Sequence, residues 1–178
     1  MNQGLIAVRY ADAMFKLAIE NKIGEEVYED FNILMRQCLQ VDDFCSFLDN
    51  PIIKPSHKKN LFQTVFKDKI HPMTLKFLEV VLDHKREDIL TFILNDFIYH
   101  YKKSKGIKSV LLYTAVGLDE RYLLQIEEFL EKEFKSPVEM EVKVKSDLLG
   151  GFILTVEGKM VDASISNRLK QVRMQLLK

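Results

Sequence analysis

Apolar side chains return every three or four positions through the first hundred residues, the spacing that lines one face of an α-helix. The pattern predicts a helix over Ile6–Asn21, stopped at Lys22-Ile23-Gly24. A second runs over Glu25–Gln40, where Val27, Phe31, Leu34, Met35 and Cys38 share a face. A short helix, Asp43–Leu48, ends at Asn50-Pro51, because the residue before proline disfavours helical backbone angles. Ser56 is the expected N-cap of Ser56–Lys69, with Leu61 and Val65 leading its inward set and Phe62 and Phe66 as further candidates. His71-Pro72 opens a fifth helix with proline in its first turn, running to about His84. A sixth extends from Arg86 to about Ser104 and stops at Gly106. Six helices joined by short loops predict an antiparallel six-helix bundle over residues 1–105.

The texture changes after Gly106. Ile107–Val116 is rich in β-branched and aromatic residues and reads as a strand, and Asp119 caps a helix through Phe134. Val138–Lys145 alternates strictly between apolar and polar, the signature of a half-buried strand. Phe152–Val156 and Met160-Val161 flank Glu157-Gly158-Lys159, a tight hairpin turn. Ser164 then caps a last helix, Ile165–Leu177. Residues 106–178 therefore form a small α+β domain, and the expected fold is mostly α: a helical bundle followed by that domain.

Two helices carry more apolar surface than one buried face requires. On the first, Ala7, Ala11, Met14 and Ala18 cluster, Phe15 and Val8 lie to one side, and Tyr10, Leu17 and Ala13 extend the arc on the other. Arg9, Asp12, Lys16 and Glu20 fill the rest, so the apolar arc spans roughly 220°, against the ~100° stripe that a one-sided helix needs. Met73–His84 behaves alike, with only Lys76, Glu79 and Asp83 as a narrow polar strip. A central position in the bundle would use up one such helix. Two in barely a hundred residues leave surface for a partner helix, and periodicity alone does not choose between burial and a groove.

Composition narrows the partners. The 178 residues hold 26 Lys+Arg against 26 Asp+Glu, with no net charge. Residues 1–105 carry 15 of each sign and residues 106–178 carry 11 of each, so neither part has the basic excess of a phosphate-neutralising module. Phe97–Lys105 mixes aromatics with lysines, but lysines at a helix C-terminus complement its dipole, and nucleic acid is not expected. The start lacks the features of a secretory signal, and no apolar run is long enough to span a bilayer. Cys38 and Cys45 read as buried, inert thiols of a reduced compartment.

Candidate chemistry is sparse. His57, His71, His84 and His100 never fall at the i, i+4 spacing of a zinc pair, so no metal is expected. Gly150-Gly151 lacks the Lys-Ser/Thr of a phosphate-cradling loop and reads as a bend entering a strand. Asp42-Asp43 suits the positive end of the third helix better than an acid–base pair. There is no nucleophile motif and no catalytic constellation, so neither an enzyme nor a cofactor is expected.

Four segments carry a family resemblance across nearly the whole chain. They are Arg9-Tyr10-Ala11-x-Ala13-x-Phe15-x-x-Ala18; Leu48-Asp49-Asn50-Pro51-x-Ile53 with Lys58; Phe77-Leu78 through His84-Lys85-Arg86; and Gly150-Gly151-Phe152-Ile153 followed by Gly158-x-x-Val161-Asp162-x-Ser164-Ile165 and Leu169. In this order the sequence resembles the delta subunit of the F-type ATP synthase, the counterpart of the mitochondrial oligomycin-sensitivity-conferring protein. One departure is Ala163, where the family usually has glycine, which questions only the local turn.

The resemblance implies a non-catalytic stator subunit that couples rotation to proton transport and ATP synthesis. The helical domain would hold the N-terminal helix of a catalytic-head alpha subunit between helices one and five. The smaller domain would meet the C-terminal ends of the b subunits. Carried onto this chain, the groove residues are Tyr10, Ala13, Met14 and Leu17 with Lys76, Val80 and Asp83, while Gly150, Gly151, Asp162 and Ser164 are structural. Such a subunit lies at the cytoplasmic face of a bacterial membrane, held there through its complex. A small cytoplasmic ligand-binding or regulatory module is the competing expectation.

Overall fold

In the computed structural model, which describes residues 3–40, 42–50 and 52–176, the first helix, α1 (Gln3–Glu20), buries Ala7, Ala11, Met14 and Ala18 in one stripe. It ends at Lys22, whose φ of 60° places it in the left-handed region, and the Ile23 amide closes onto the Ala18 carbonyl at 2.9 Å. Lys22 is thus the turning residue. Gly24, expected to share the stop, instead starts α2 (Gly24–Gln40), which buries Val27, Phe31 and Leu34. Cys38 is half-buried rather than buried, and the side chain of Cys45 lies outside the described residues.

The next two helices are α3 (Asp42–Asp49) and α4 (Pro55–Phe66). The side chains of Asp42 and Asp43 lie outside the described residues, as does Pro51. The α4 start differs from expectation. Lys54 holds the N-cap position without a side-chain bond, and Pro55 occupies the first turn, so Ser56 is inside the helix. Its inward face differs too: Phe62 and Phe66 are buried, whereas Val65 is 38% exposed and Leu61 half-buried. Phe44 packs edge-on against both phenylalanines, with ring centroids 6.0 and 5.9 Å away, and each buried ring contributes about 1.5–3 kcal/mol.

α5 (Pro72–Asp83) has its N-terminal amides satisfied twice over. The His71 side chain accepts from the Met73 amide, and buried Asp30 of α2 accepts from the His71 amide at 2.8 Å and from the Thr74 hydroxyl at 2.5 Å. A 3-10 turn, Glu87–Ile89, then leads into α6 (Leu90–Lys105). Phe97 of α6 lies between Phe31 (4.5 Å) and Phe15 (6.0 Å), which centres an aromatic core on α1, α2 and α6.

Four strands and two helices follow: β1 (Lys108–Thr114), α7 (Glu120–Phe134), β2 (Val138–Val144), β3 (Phe152–Val156), β4 (Lys159–Asp162) and α8 (Ile165–Leu176). The sheet order is β2-β1-β3-β4. β1 and β2 are parallel across the α7 crossover, and β1–β3 and β3–β4 are antiparallel. Val110, Leu130 and Val138 form the core of this layer, with Ile126, Phe134 and Leu154 packed against them. Asp119 starts α7 through its backbone carbonyl alone, its side chain making no capping bond. Leu177, expected in the last helix, lies outside the described residues.

Contacts divide the chain into two compact units, Met1–Tyr101 and Lys102–Lys178. Among the described residues the fold is mostly helical with one small four-stranded sheet.

Candidate docking surface

Tyr10, Ala13 and Leu17 occupy one face of α1, and Lys76, Val80 and Asp83 occupy one face of α5, because residues three, four and seven apart align on a helix. The two helices meet at Tyr10. Its ring packs edge-on against Phe77 with centroids 6.4 Å apart, and its hydroxyl lies 2.7 Å from His84 Nδ1 at the end of α5. Beside this junction Ala13 is exposed, Leu17 is 40% exposed and Val80 is 45% exposed. Those apolar groups are not needed by the core, since the opposite faces of α1 and α5 already supply Ala11, Ala18, Leu78 and Val81 to it.

Met14 belongs with that core. It is 1% exposed, so its side chain supports the α1 face from beneath and offers no surface. Asp83 is committed to α4: its carboxylate takes Lys59 Nζ through both oxygens, at 2.6 and 2.7 Å. Glu79 likewise accepts from Gln63 at 2.6 Å. Lys76 is exposed near the start of the helix. The polar strip of α5 is therefore partly neutralised within the unit, and the outward character of the helix rests on Lys76 and Val80.

Sequence reasoning passed over two groups. In the sequence His84 is one of four histidines without zinc spacing and closes part of the third family segment, and position 84 bears no local relation to position 10. Lys58 was noted only within a motif, yet it is 1% exposed. Its ammonium joins the Leu48 carbonyl to Glu87 Oε1, the latter at 2.6 Å, tying α3, α4 and the 3-10 turn together.

In the second unit Gly150, Gly151, Asp162 and Ser164 form one interlocked corner. Leu149, Gly150 and Gly151 all have positive φ, and a Cβ on Gly151 would run into the Ala163 carbonyl oxygen. Asp162 Oδ1 accepts from the Ser164 amide at 2.9 Å, and Ser164 Oγ accepts from the Asn167 amide at 3.1 Å as the N-cap of α8. Hydrogen bonding to the Asp162 carboxyl, from the Ser164 side chain first and the Ser164 backbone second, holds it below its ordinary value. Ala163 is not among the positive-φ residues, so the turn admits its methyl group.

An open apolar cleft of about 450 Å³ lies beside this corner, lined by Leu112, Val116, Leu118, Ile126, Phe152 and others, and no titratable side chain faces it. Among the described residues no three His, Cys, Asp or Glu gather as a metal site, and no helix is long and apolar enough to cross a membrane. Exposed apolar faces backed by packed cores, on α1 and α5 and at this cleft, suit a protein that holds other proteins.

Similarity to known proteins says which kind. The family model for the ATP synthase delta (OSCP) subunit matches residues 6–176. A protein named ATP synthase subunit delta from Lactobacillus gasseri is 36% identical over 174 residues, covering 97% of this chain and 94% of the relative. One of the same name from Parabacteroides distasonis is 32% identical over 177 residues, covering 99% and 98%. A chain in the cryo-EM structure of the Toxoplasma gondii mitochondrial ATP synthase hexamer shares the fold, with a TM-score of 0.77 at 22% identity over 100% of this chain and 98% of that one. The chain belongs to the ATP synthase delta (OSCP) subunit family. Its work is structural and not catalytic: it is a stator subunit that links the catalytic head of the ATP synthase to the peripheral stalk.

Proposed function

We propose that the first unit, with α1–α6 as one antiparallel bundle, grips the N-terminal helix of a catalytic-head alpha subunit along the joint face of α1 and α5. The observation that carries this reading is the exposed apolar set Ala13, Leu17 and Val80 beside the Tyr10 junction, on helices whose other faces are already buried. An amphipathic helix laid there would cover these groups, with Tyr10 supplying buried area and Ala13 allowing close approach.

The second unit meets the C-terminal ends of the b subunits. Ile165, Leu169 and Val172 support this, since they repeat at i, i+4 and i+7 along α8 and are all about half exposed, and Met160 and Val161 of β4 are exposed as well. Torque from the rotating shaft would turn the head unless both contacts hold. The protein works at the cytoplasmic face of the membrane through its complex.

Ala13→Asp tests the first contact. The side chain is exposed, so the variant keeps its fold, but a carboxylate would have to be desolvated beneath the incoming helix. Titration calorimetry with an alpha-subunit N-terminal peptide from the same source should show binding to the parent and none to the variant. Equal affinities would remove the α1–α5 face from the mechanism.

A further inference from the structure

We propose that His84 is a positioning residue that presets Tyr10 for the partner helix, a role that rests on the α1–α5 docking reading. Tyr10 is half-buried on α1, its ring leaning on Phe77 and its hydroxyl 2.7 Å from His84 Nδ1, 74 residues away in the chain. The His84 ring also stands edge-on to the Tyr10 ring, with centroids 6.2 Å apart.

Two features make His84 a firm anchor. It is the C-cap of α5, where its amide bonds back to the Val80 carbonyl at 3.1 Å. The next residue, Lys85, turns at φ 54° and returns its amide to the Leu82 carbonyl at 3.0 Å. The imidazole thus hangs from a backbone fixed by the helix ending itself. Tyr10 Oη and His84 Nδ1 can exchange donor and acceptor roles with the imidazole tautomer, so the link does not depend on which nitrogen carries the proton.

The consequence concerns affinity. A tyrosine at the centre of a docking face contributes most when its rotamer is settled before the partner arrives, because ordering it during binding subtracts from the affinity. The bond to His84 settles that rotamer from the far helix, and it also ties the middle of α1 to the C-terminal end of α5. Neither effect requires His84 to touch the partner.

The test is a double-mutant cycle in the full chain, with the alpha-subunit N-terminal peptide as probe. Tyr10→Phe and His84→Leu should each weaken binding about fivefold, the equilibrium worth of one net hydrogen bond. The double variant should lose no more than either single one, because both remove the same bond. His84→Asn should bind within about twofold of the parent, since its Oδ1 stands at the same branch as Nδ1 and can accept from Tyr10. Urea midpoints, measured alongside, should fall by no more than about 0.5 M where the bond is lost, so every variant is fully folded in the binding titration.

Additive losses in the double variant, no gain of His84→Asn over His84→Leu, or parental affinity in both single variants would overturn the role. Ala13→Asp separates the two levels of argument. If it abolishes binding while Tyr10→Phe and His84→Leu bind like the parent, only the positioning role of His84 falls. If Ala13→Asp binds normally, the docking face falls and this role with it.

Discussion

Lys58→Ala should destabilise the first unit more than any surface change, and the structure sets the size of the effect. Lys58 is 1% exposed and its ammonium satisfies both the Leu48 carbonyl and Glu87, whose side chain is 14% exposed. Glu87 Oε2 is already buried without a hydrogen-bond partner among the described residues, so the ammonium is the principal compensation for that carboxylate. Removing one member of a buried pair costs about 3–5 kcal/mol, and the residual exposure of Glu87 argues for the lower end, about 3 kcal/mol. With a urea slope of about 2 kcal/mol per molar, the midpoint should fall by about 1.5 M. Far-UV circular dichroism reads this well, because most of the helix lies in the first unit. Lys58→Met combined with Glu87→Gln should recover at least half of the loss by removing both charges together. A shift below about 0.3 M for Lys58→Ala would refute the account of a locked buried pair.

Three further outcomes follow from other parts of the molecule. Gly151→Ala must place a Cβ against the Ala163 carbonyl at φ 74°, so the second unit should lose about 2 kcal/mol or more in a urea titration followed by amide signals of β3 and β4. Asp162 has a folded-state pKa below its unfolded one, so its contribution is present above the ordinary carboxylate range and is lost as pH falls through the folded value. Thermal melts between neutral and strongly acidic pH should show a shallower acid limb in Asp162→Asn than in the parent. Burial, with Glu25, Glu26 and Glu29 adding to it, raises the Tyr101 phenol above its ordinary value. Its stabilising contribution is therefore full below the unfolded tyrosine pKa and is lost as pH rises through the folded one, and Tyr101→Phe should flatten that alkaline decline.

How far these features could be read from the chain alone depended on whether the cause was local. The α1 stripe was legible because Ala7, Ala11, Met14 and Ala18 follow helical spacing, and all four are buried. The same spacing failed on α4, where Leu61–Val65 and Phe62–Phe66 are equally periodic and differ by one position. The aromatic pair took the core because Phe44 of α3 meets it, a contact no helical wheel contains. Met14 shows the limit of a broad apolar arc: its place on the wheel suited both core and groove, and packing put it in the core.

The glycine pair and Asp162-x-Ser164 were readable as structure because turn chemistry acts over a few residues. Lys58–Glu87 and Tyr10–His84 were not, since each joins polar groups 29 or 74 residues apart and leaves no periodic trace. A buried lysine also contradicts the hydropathy pattern until its carboxylate partner is known.

The central claim is that the joint face of α1 and α5 carries the catalytic head, and site-directed photo-crosslinking in the assembled ATP synthase tests it most directly. With Cys38 and Cys45 replaced by serine, a single cysteine at Leu17 or Val80 would carry a benzophenone label, and one at Glu26, exposed on α2, would serve as the contrast. The account predicts adducts with the alpha subunit from positions 17 and 80 and none from position 26. Adducts from position 26 with none from 17 or 80 would contradict it.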